Sequence, residues 1–175
     1  PALSPFWVHL QLYGYNMFYQ NHIKRLLKWA YYVCPPMFNY LVGKLWTIQG
    51  YLHSDHSSKV TLRFSPDQDT LQSTIMTNPD LVSTLSTIYT FLHNARHQTG
   101  LSILPKLAKD STVGRGFHYG GTLPMSASPQ SGQTSVKGQL WCSQRVHLVD
   151  SSIFPSIPAT TITFTLMANA YRIGS

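Results

Sequence analysis

Residues 111–140 constrain this chain more than any other stretch. They are crowded with Gly, Ser, Thr and Pro, so neither a helical nor a strand period persists across them, and the segment reads as loops. Inside it stands "GRGFHYGGTLPM", residues 114–125, where a titratable ring, His118, is set among glycines. With that much irregular backbone in the 175-residue chain, the core must come from what lies on either side. The length suits one domain, or one domain with an appendage.

Before the loops, "NHIKRLLKWAYYV" at 21–33 has the look of an amphipathic helix, with Lys24, Arg25 and Lys28 beside Ile23, Leu26, Leu27 and Trp29. Pro35 and Pro36 end it, since proline supplies no backbone donor. "KVTLRF" at 59–64 alternates and is rich in strand formers, and "SPDQD" follows as a turn. The clearest helix runs over 79–97. Asn78 caps it, Pro79 takes its first position, Asp80 lies in the first turn and Gly100 stops it. Its buried stripe is Leu81, Leu85, Ile88, Leu92 and Ala95. After the loops, "RVHLVD" at 145–150 reads as a short strand, and the chain ends in an apolar helix beginning near Thr161.

Hydrophobic residues make up 43% of the chain, enough for a core, but charged residues only 11%, well under the quarter or so that is usual. Much of the surface is therefore expected to face something other than water. The net charge of +7 is compatible with nucleic acid, an anionic membrane or an anionic cofactor. The charge is spread, and no helix-turn-helix or RNP-like pattern accompanies it, which argues against nucleic acid. The basic, aromatic residues 1–50 leave a membrane surface open as a partner, and a non-enzymatic peripheral membrane module is the alternative functional reading. No stretch reaches the roughly 18 apolar residues of a transmembrane helix. The two cysteines, Cys34 and Cys142, form no C-x-x-C pair, and a disulfide between them is left open. Nothing in the sequence identifies a compartment. The chain begins with proline rather than methionine, which suggests processing or a piece of something longer.

Three clusters carry candidate chemistry. In "HSDH", His53 and His56 flank Asp55, but no third distant ligand is apparent, so a polar loop is preferred to a metal site and no metal is expected. In "FHYGGTLPM", an imidazole is the usual group for taking a hydroxyl proton near neutral pH. Gly120 and Gly121 would let the backbone approach a ligand or adopt positive φ. In "VHLVDSSIFPSIPATTITFTLMANAYRI", Asp150 offers an acceptor for ribose-like hydroxyls, and the last helix presents orphan N–H groups at its N-terminus. Each cluster taken alone also fits plain structure: a solvated loop histidine, and a strand-turn-helix that closes a core.

Taken in order, these segments resemble the C-terminal part of a glucose–methanol–choline (GMC) flavin oxidoreductase. An H-x-x-G-T-x-x-M pattern stands as His118, Gly121, Thr122 and Met125. A D-[AGS]-S-x-x-P pattern stands as Asp150, Ser152 and Pro155, followed by T-x-x-A as Thr165 and Ala168. Upstream, "LHSDHSSKVTLRFSPDQD" is similar to the family's S-x-x-V-x-L strand. The resemblance covers residues 51–175. It implies an α+β fold, a mostly antiparallel sheet with helices packed on one face. Residues 1–50 would lead into a substrate-binding domain at 51–146, and residues 147–175 would return to a Rossmann-type FAD domain that this sequence lacks, since no G-x-G-x-x-G opens a helix after a strand. It also implies FAD as cofactor, an alcohol substrate oxidised to a carbonyl, and an N-terminal FAD-binding part as partner, without which the chain is expected to be inactive. By the resemblance, His118 is the catalytic base. Asp150 and Ser152 contact the cofactor, and Thr161, Ile162 and Thr163 bring backbone amides to it. Thr161 stands six residues after the motif proline, where the family places a second catalytic His or Asn; threonine cannot be protonated as histidine can.

Overall fold

The computed structural model describes residues 7–14, 21, 25, 28–109, 111, 113, 116, 118–143 and 145–175. The chain divides into two units, residues 9–51 and residues 1–8 with 52–175. The fold class is α+β, as expected; among the described residues the strands pair two by two in three separate small sheets, with helices between and after them in sequence.

In the smaller unit, strand β1 (Val8–Tyr13) pairs with β2 (Thr47–Leu52). Two helices lie between them in sequence, α1 (Lys28–Val33) and α2 (Pro35–Gly43). The two prolines end α1, as read from the sequence, but they also start α2. Cys34 is non-helical at φ −151°, ψ 83°, and Pro35 takes the first position of the new helix, where its missing N–H costs nothing. Phe38 and Val42, one turn apart, are the buried residues of α2. Trp29 on α1 is 72% exposed. The amphipathic stripe expected of Ile23, Lys24, Leu26 and Leu27 lies outside the described residues.

In the larger unit, β3 (Lys59–Ser65) and β4 (Thr70–Met76) form an antiparallel hairpin in the register Lys59 to Met76 through Ser65 to Thr70. "SPDQD" is the turn: Pro66–Gln68 make a single 3₁₀ turn and Asp69 takes the left-handed conformation at φ 48°, ψ 40°. Aspartate tolerates that conformation better than most side chains. Strand β4 was not foreseen, because "TLQSTIM" alternates less cleanly than its partner. The alternation puts Val60, Leu62, Phe64, Leu71 and Ile75 on one face of the hairpin, all exposed.

Helix α3 (Leu81–Asn94) begins two residues later than the sequence predicts. The Asn78 Oδ1 accepts from the Asp80 amide at 2.9 Å and closes the turn that holds Pro79 and Asp80, but Asn78 is not the expected cap: Asp80 stands at the N-cap position and no side chain caps that end. Ile88 is buried and Leu81, Leu85, Leu92 and Ala95 are half-buried, the expected stripe. The helix breaks at Ala95, and a last turn, α4 (Arg96–Thr99), is closed by Gly100 at φ 69°.

The loop region holds one short parallel pair, β5 (Met125–Ser126) with β6 (Thr134–Ser135). "RVHLVD" is not the expected strand. Its backbone meets residues 138–140 through Leu140 N to Val146 O at 3.0 Å and Leu148 N to Gly138 O at 2.8 Å, with a single bridge at His147. The partner is itself a turn: Gly138 has φ 72°, and a Cβ there would lie 2.3 Å from the Leu148 carbonyl oxygen. A ladder cannot extend along a turning backbone. Helix α5 (Thr163–Gly174) closes the chain, starting two residues after the expected Thr161.

The core of this unit is the turn before α5. Ile153, Phe154 and Ile157 are buried, and Met125, Leu148, Ile162, Leu166 and Ile173 pack against them. The same turn reaches back over the sequence. Ser54 donates its amide to the Ile157 carbonyl at 2.9 Å, and its Oγ accepts from the Ile157 amide at 3.0 Å. Ser54→Ala is expected to lower unfolding free energy by about 1–2 kcal/mol, since it leaves the Ile157 amide without its partner. Chemical denaturation followed by far-UV circular dichroism measures this.

Candidate functional site

The site is built from two loops that hydrogen-bond to each other. Its first loop runs from His118, which is half-buried, through Tyr119, Gly120 and Gly121 to Met125. The second is the turn 150–157. Gly121 N donates to Ser151 O at 3.1 Å, and Leu123 N donates to Ser152 O at 2.9 Å. In the reverse direction, the Ser151 hydroxyl donates to Tyr119 O at 2.6 Å. The H-x-x-G-T and D-S-S segments are therefore joined within a few residues of His118.

Glycine makes this approach possible. A Cβ on Gly120 would lie 2.4 Å from the Ser151 carbonyl oxygen and 2.5 Å from the Ile157 Cδ1. Gly121 sits at φ 76°, a conformation that costs other residues strain. The sequence suggests that these glycines bring backbone toward a ligand. In the structure, Gly120 brings backbone to backbone, and the close partner is Ser151.

Further along the loop, Thr134 is fully buried and fixes the exit. Its Oγ1 donates to Leu123 O at 3.1 Å, and its amide donates to Pro124 O at 3.2 Å. Met125, the motif methionine, packs against Ile153, Phe154 and Ile157. Arg172 on α5 donates to Val136 O at 2.6 Å and to the Asn169 Oδ1, which holds the last helix against the 125–136 stretch.

In the second loop, Asp150 is exposed and caps the 3₁₀ turn Ser151–Ile153: its Oδ1 accepts from the Ser152 amide at 3.0 Å and from the Ser152 hydroxyl. The two serines thus have separate partners. Ser152 bonds within its own turn, and Ser151 bonds across to the histidine loop. Ile153, fully buried, anchors the turn beneath them.

Thr161 and Thr163 are exposed, and Ile162 packs against the Ile153 cluster. The last helix begins at Thr163 with Ile162 at its N-cap, and no side chain caps that end. Thr165 and Ala168 are exposed on the helix, while Leu166 and Ile173 face the core. The segments come together in two steps: residues 118–123 against 151–152, and Ile162 against 153–157.

The "HSDH" segment forms a turn leading into β3. His53 Nδ1 accepts from the Asp55 amide at 3.2 Å, and the His56 ring lies 4.9 Å from that of Trp7, centroid to centroid. Among the described residues no group of three His, Cys, Asp or Glu is arranged to hold a metal ion. Cys34 and Cys142 are both free thiols, so the disulfide left open by the sequence is not formed. No helix among the described residues is long and apolar enough to cross a membrane.

Ser54, Thr134 and the side-chain role of Ser151 escaped the sequence reading. Each bonds main chain that lies 11 to 103 residues away in sequence, and a lone Ser or Thr carries no local signal of that. Gly120 was noticed, but the identity of the group it admits was not.

A search for similar proteins returned no match among curated proteins or solved structures. A family profile described as GMC oxidoreductase, that of the C-terminal domain, matches residues 56–170. That span is more than half of the chain and contains both hydrogen-bonded loops and most of the last helix, so the chain belongs to the GMC oxidoreductase family, as a form of its C-terminal domain.

Proposed function

We propose that this chain is the substrate-side, base-bearing part of an FAD-dependent enzyme that oxidises an alcohol to a carbonyl. The observation that carries the reading is the clasp between the two family motifs, which holds the backbone next to His118 by hydrogen bonds to the Asp150–Ser152 turn. A half-buried imidazole on a restrained loop is placed to act in one geometry, which is how a general base gains its rate.

The chain's donors suit the cofactor. Thr161 and Thr163 are exposed beside an α5 N-terminus that no side chain caps, an arrangement that favours negative charge. Asp150 is exposed one residue before Ser151 and serves as an acceptor for hydroxyls of the cofactor's ribityl chain. When bound, the flavin supplies the two-electron acceptor for the hydride from the alcohol carbon. The chain's own contribution is to take the hydroxyl proton at the His118 imidazole as the C–H bond breaks. Backbone amides of residues 161–163 stabilise negative charge where it gathers, an electrostatic effect that needs no rearrangement at the moment of reaction. Thr161 orients the hydroxyl by donating or accepting a hydrogen bond, and proton transfer falls to His118 alone. Residues 147–175 form the segment that meets the flavin-binding part, and residues 51–146 the substrate side.

The test is anaerobic mixing of alcohols with the flavin-loaded enzyme formed by this chain and its FAD-binding part. Bleaching of the oxidised flavin absorbance with formation of one carbonyl per flavin is expected for at least one alcohol class. Full flavin occupancy without bleaching by primary, secondary or aromatic alcohols would remove the proposal.

A further inference from the structure

We propose that Ser151 is a positioning residue for His118, acting through the main chain of the histidine loop. The inference rests on the reading of His118 as the base. Three observations converge on Ser151. Its hydroxyl donates to the Tyr119 carbonyl at 2.6 Å, the carbonyl of the residue directly after His118. Its own carbonyl accepts from the Gly121 amide at 3.1 Å. Gly120, between those two contacts, has no side chain, and that lets the Ser151 carbonyl come close.

The hydroxyl and the carbonyl of one residue therefore hold two successive peptide groups of the loop's backbone, one on either side of the Gly120 Cα. Glycine places little restriction of its own on the chain, so the restraint must come from outside. Ser151 is itself held. It lies between Asp150, which caps the turn, and Ile153, which is fully buried. A fixed point on one loop thus sets the backbone that carries the imidazole on the other. Ser152 does not share this role with its side chain, because its hydroxyl goes to Asp150.

The experiment compares Ser151→Ala, Ser151→Thr and Ser151→Cys in the flavin-loaded enzyme, with hydrogen exchange at the Gly121 and Leu123 amides as a readout independent of turnover. Ser151→Ala is expected to slow flavin reduction at saturating alcohol about tenfold, as a small misplacement of a reacting group does, while KM changes less than twofold. The Gly121 amide is expected to exchange about tenfold faster as the loop opens more often. Ser151→Thr keeps the hydroxyl and restores both. Should Ser151→Ala fold poorly, Ser151→Cys keeps the volume with a weaker donor and is expected to show the same slowing. Faster exchange with an unchanged rate would overturn the positioning role, as would unchanged exchange. A rate lost in His118→Ala and kept in Ser151→Ala overturns the role of Ser151 and leaves the base in place. A rate kept in both overturns the base and the positioning together.

Discussion

Replacing His118 with alanine is expected to slow flavin reduction by an alcohol at least about a hundredfold, the lower end of what a positioned general base contributes. The loss should sit in the rate at saturating substrate, since the imidazole acts as the proton leaves. Acidic alcohols give a sharper reading. A fluorinated alcohol gives up its proton more readily, so the variant should lose less with it than with an unsubstituted one. Stopped-flow absorbance under anaerobic conditions measures the rates; wild-type rates in the variant would sink the role of His118.

Gly120→Ala is expected to destabilise the chain by about 1–3 kcal/mol, the usual cost of forcing extra volume into a packed site. At 2.4 Å from the Ser151 oxygen the new methyl group meets backbone, not the tip of a side chain that can swing away. Ser151 cannot retreat easily either, because Asp150 caps its turn and Ile153 is buried behind it. The loops must part, and the Gly121 and Leu123 hydrogen bonds to the 151–152 turn are lost with them. Gly116→Ala is the matched control. Its nearest neighbour would be 3.7 Å away, an ordinary contact, so its melting temperature should stay near wild type. Differential scanning calorimetry of both variants tests the pair; equal melting temperatures would contradict the packing argument.

Much of the site was legible because it is written locally. The helix over 81–94 shows its stripe in one turn of sequence after another, and Gly100 stands at its positive-φ end. His118, Asp150 and Ser152 were singled out by motif spacing, and the family match over 56–170 agrees with the resemblance that motif order suggested. What failed was written elsewhere. "RVHLVD" has strand composition, but a strand needs a straight partner, and its partner turns at Gly138. Pro35 reads as a stop when only the preceding helix is considered, and as a start once the next eight residues fold. The helix at the C-terminus begins at Thr163 rather than Thr161 because Ile162 is drawn to the Ile153 cluster. In each case a tertiary neighbour decides, and the local sequence does not identify it.

The Ser151–Tyr119 bond spans 32 residues, and the Ser54–Ile157 pair spans 103. Closing the longer loop costs roughly 1 kcal/mol more in chain entropy than closing the shorter, at about 0.6 kcal/mol per doubling. The histidine loop and the 150–157 turn therefore have the advantage in folding, and once joined they remove their intervening residues from the larger loop. By chain entropy alone, the contact beside His118 is favoured to close before the β3 approach at Ser54 docks onto the same turn. A chain growing from its N-terminus makes the loop around His118 before it makes Ser151, so that loop waits, unframed, until the 150–157 turn follows it.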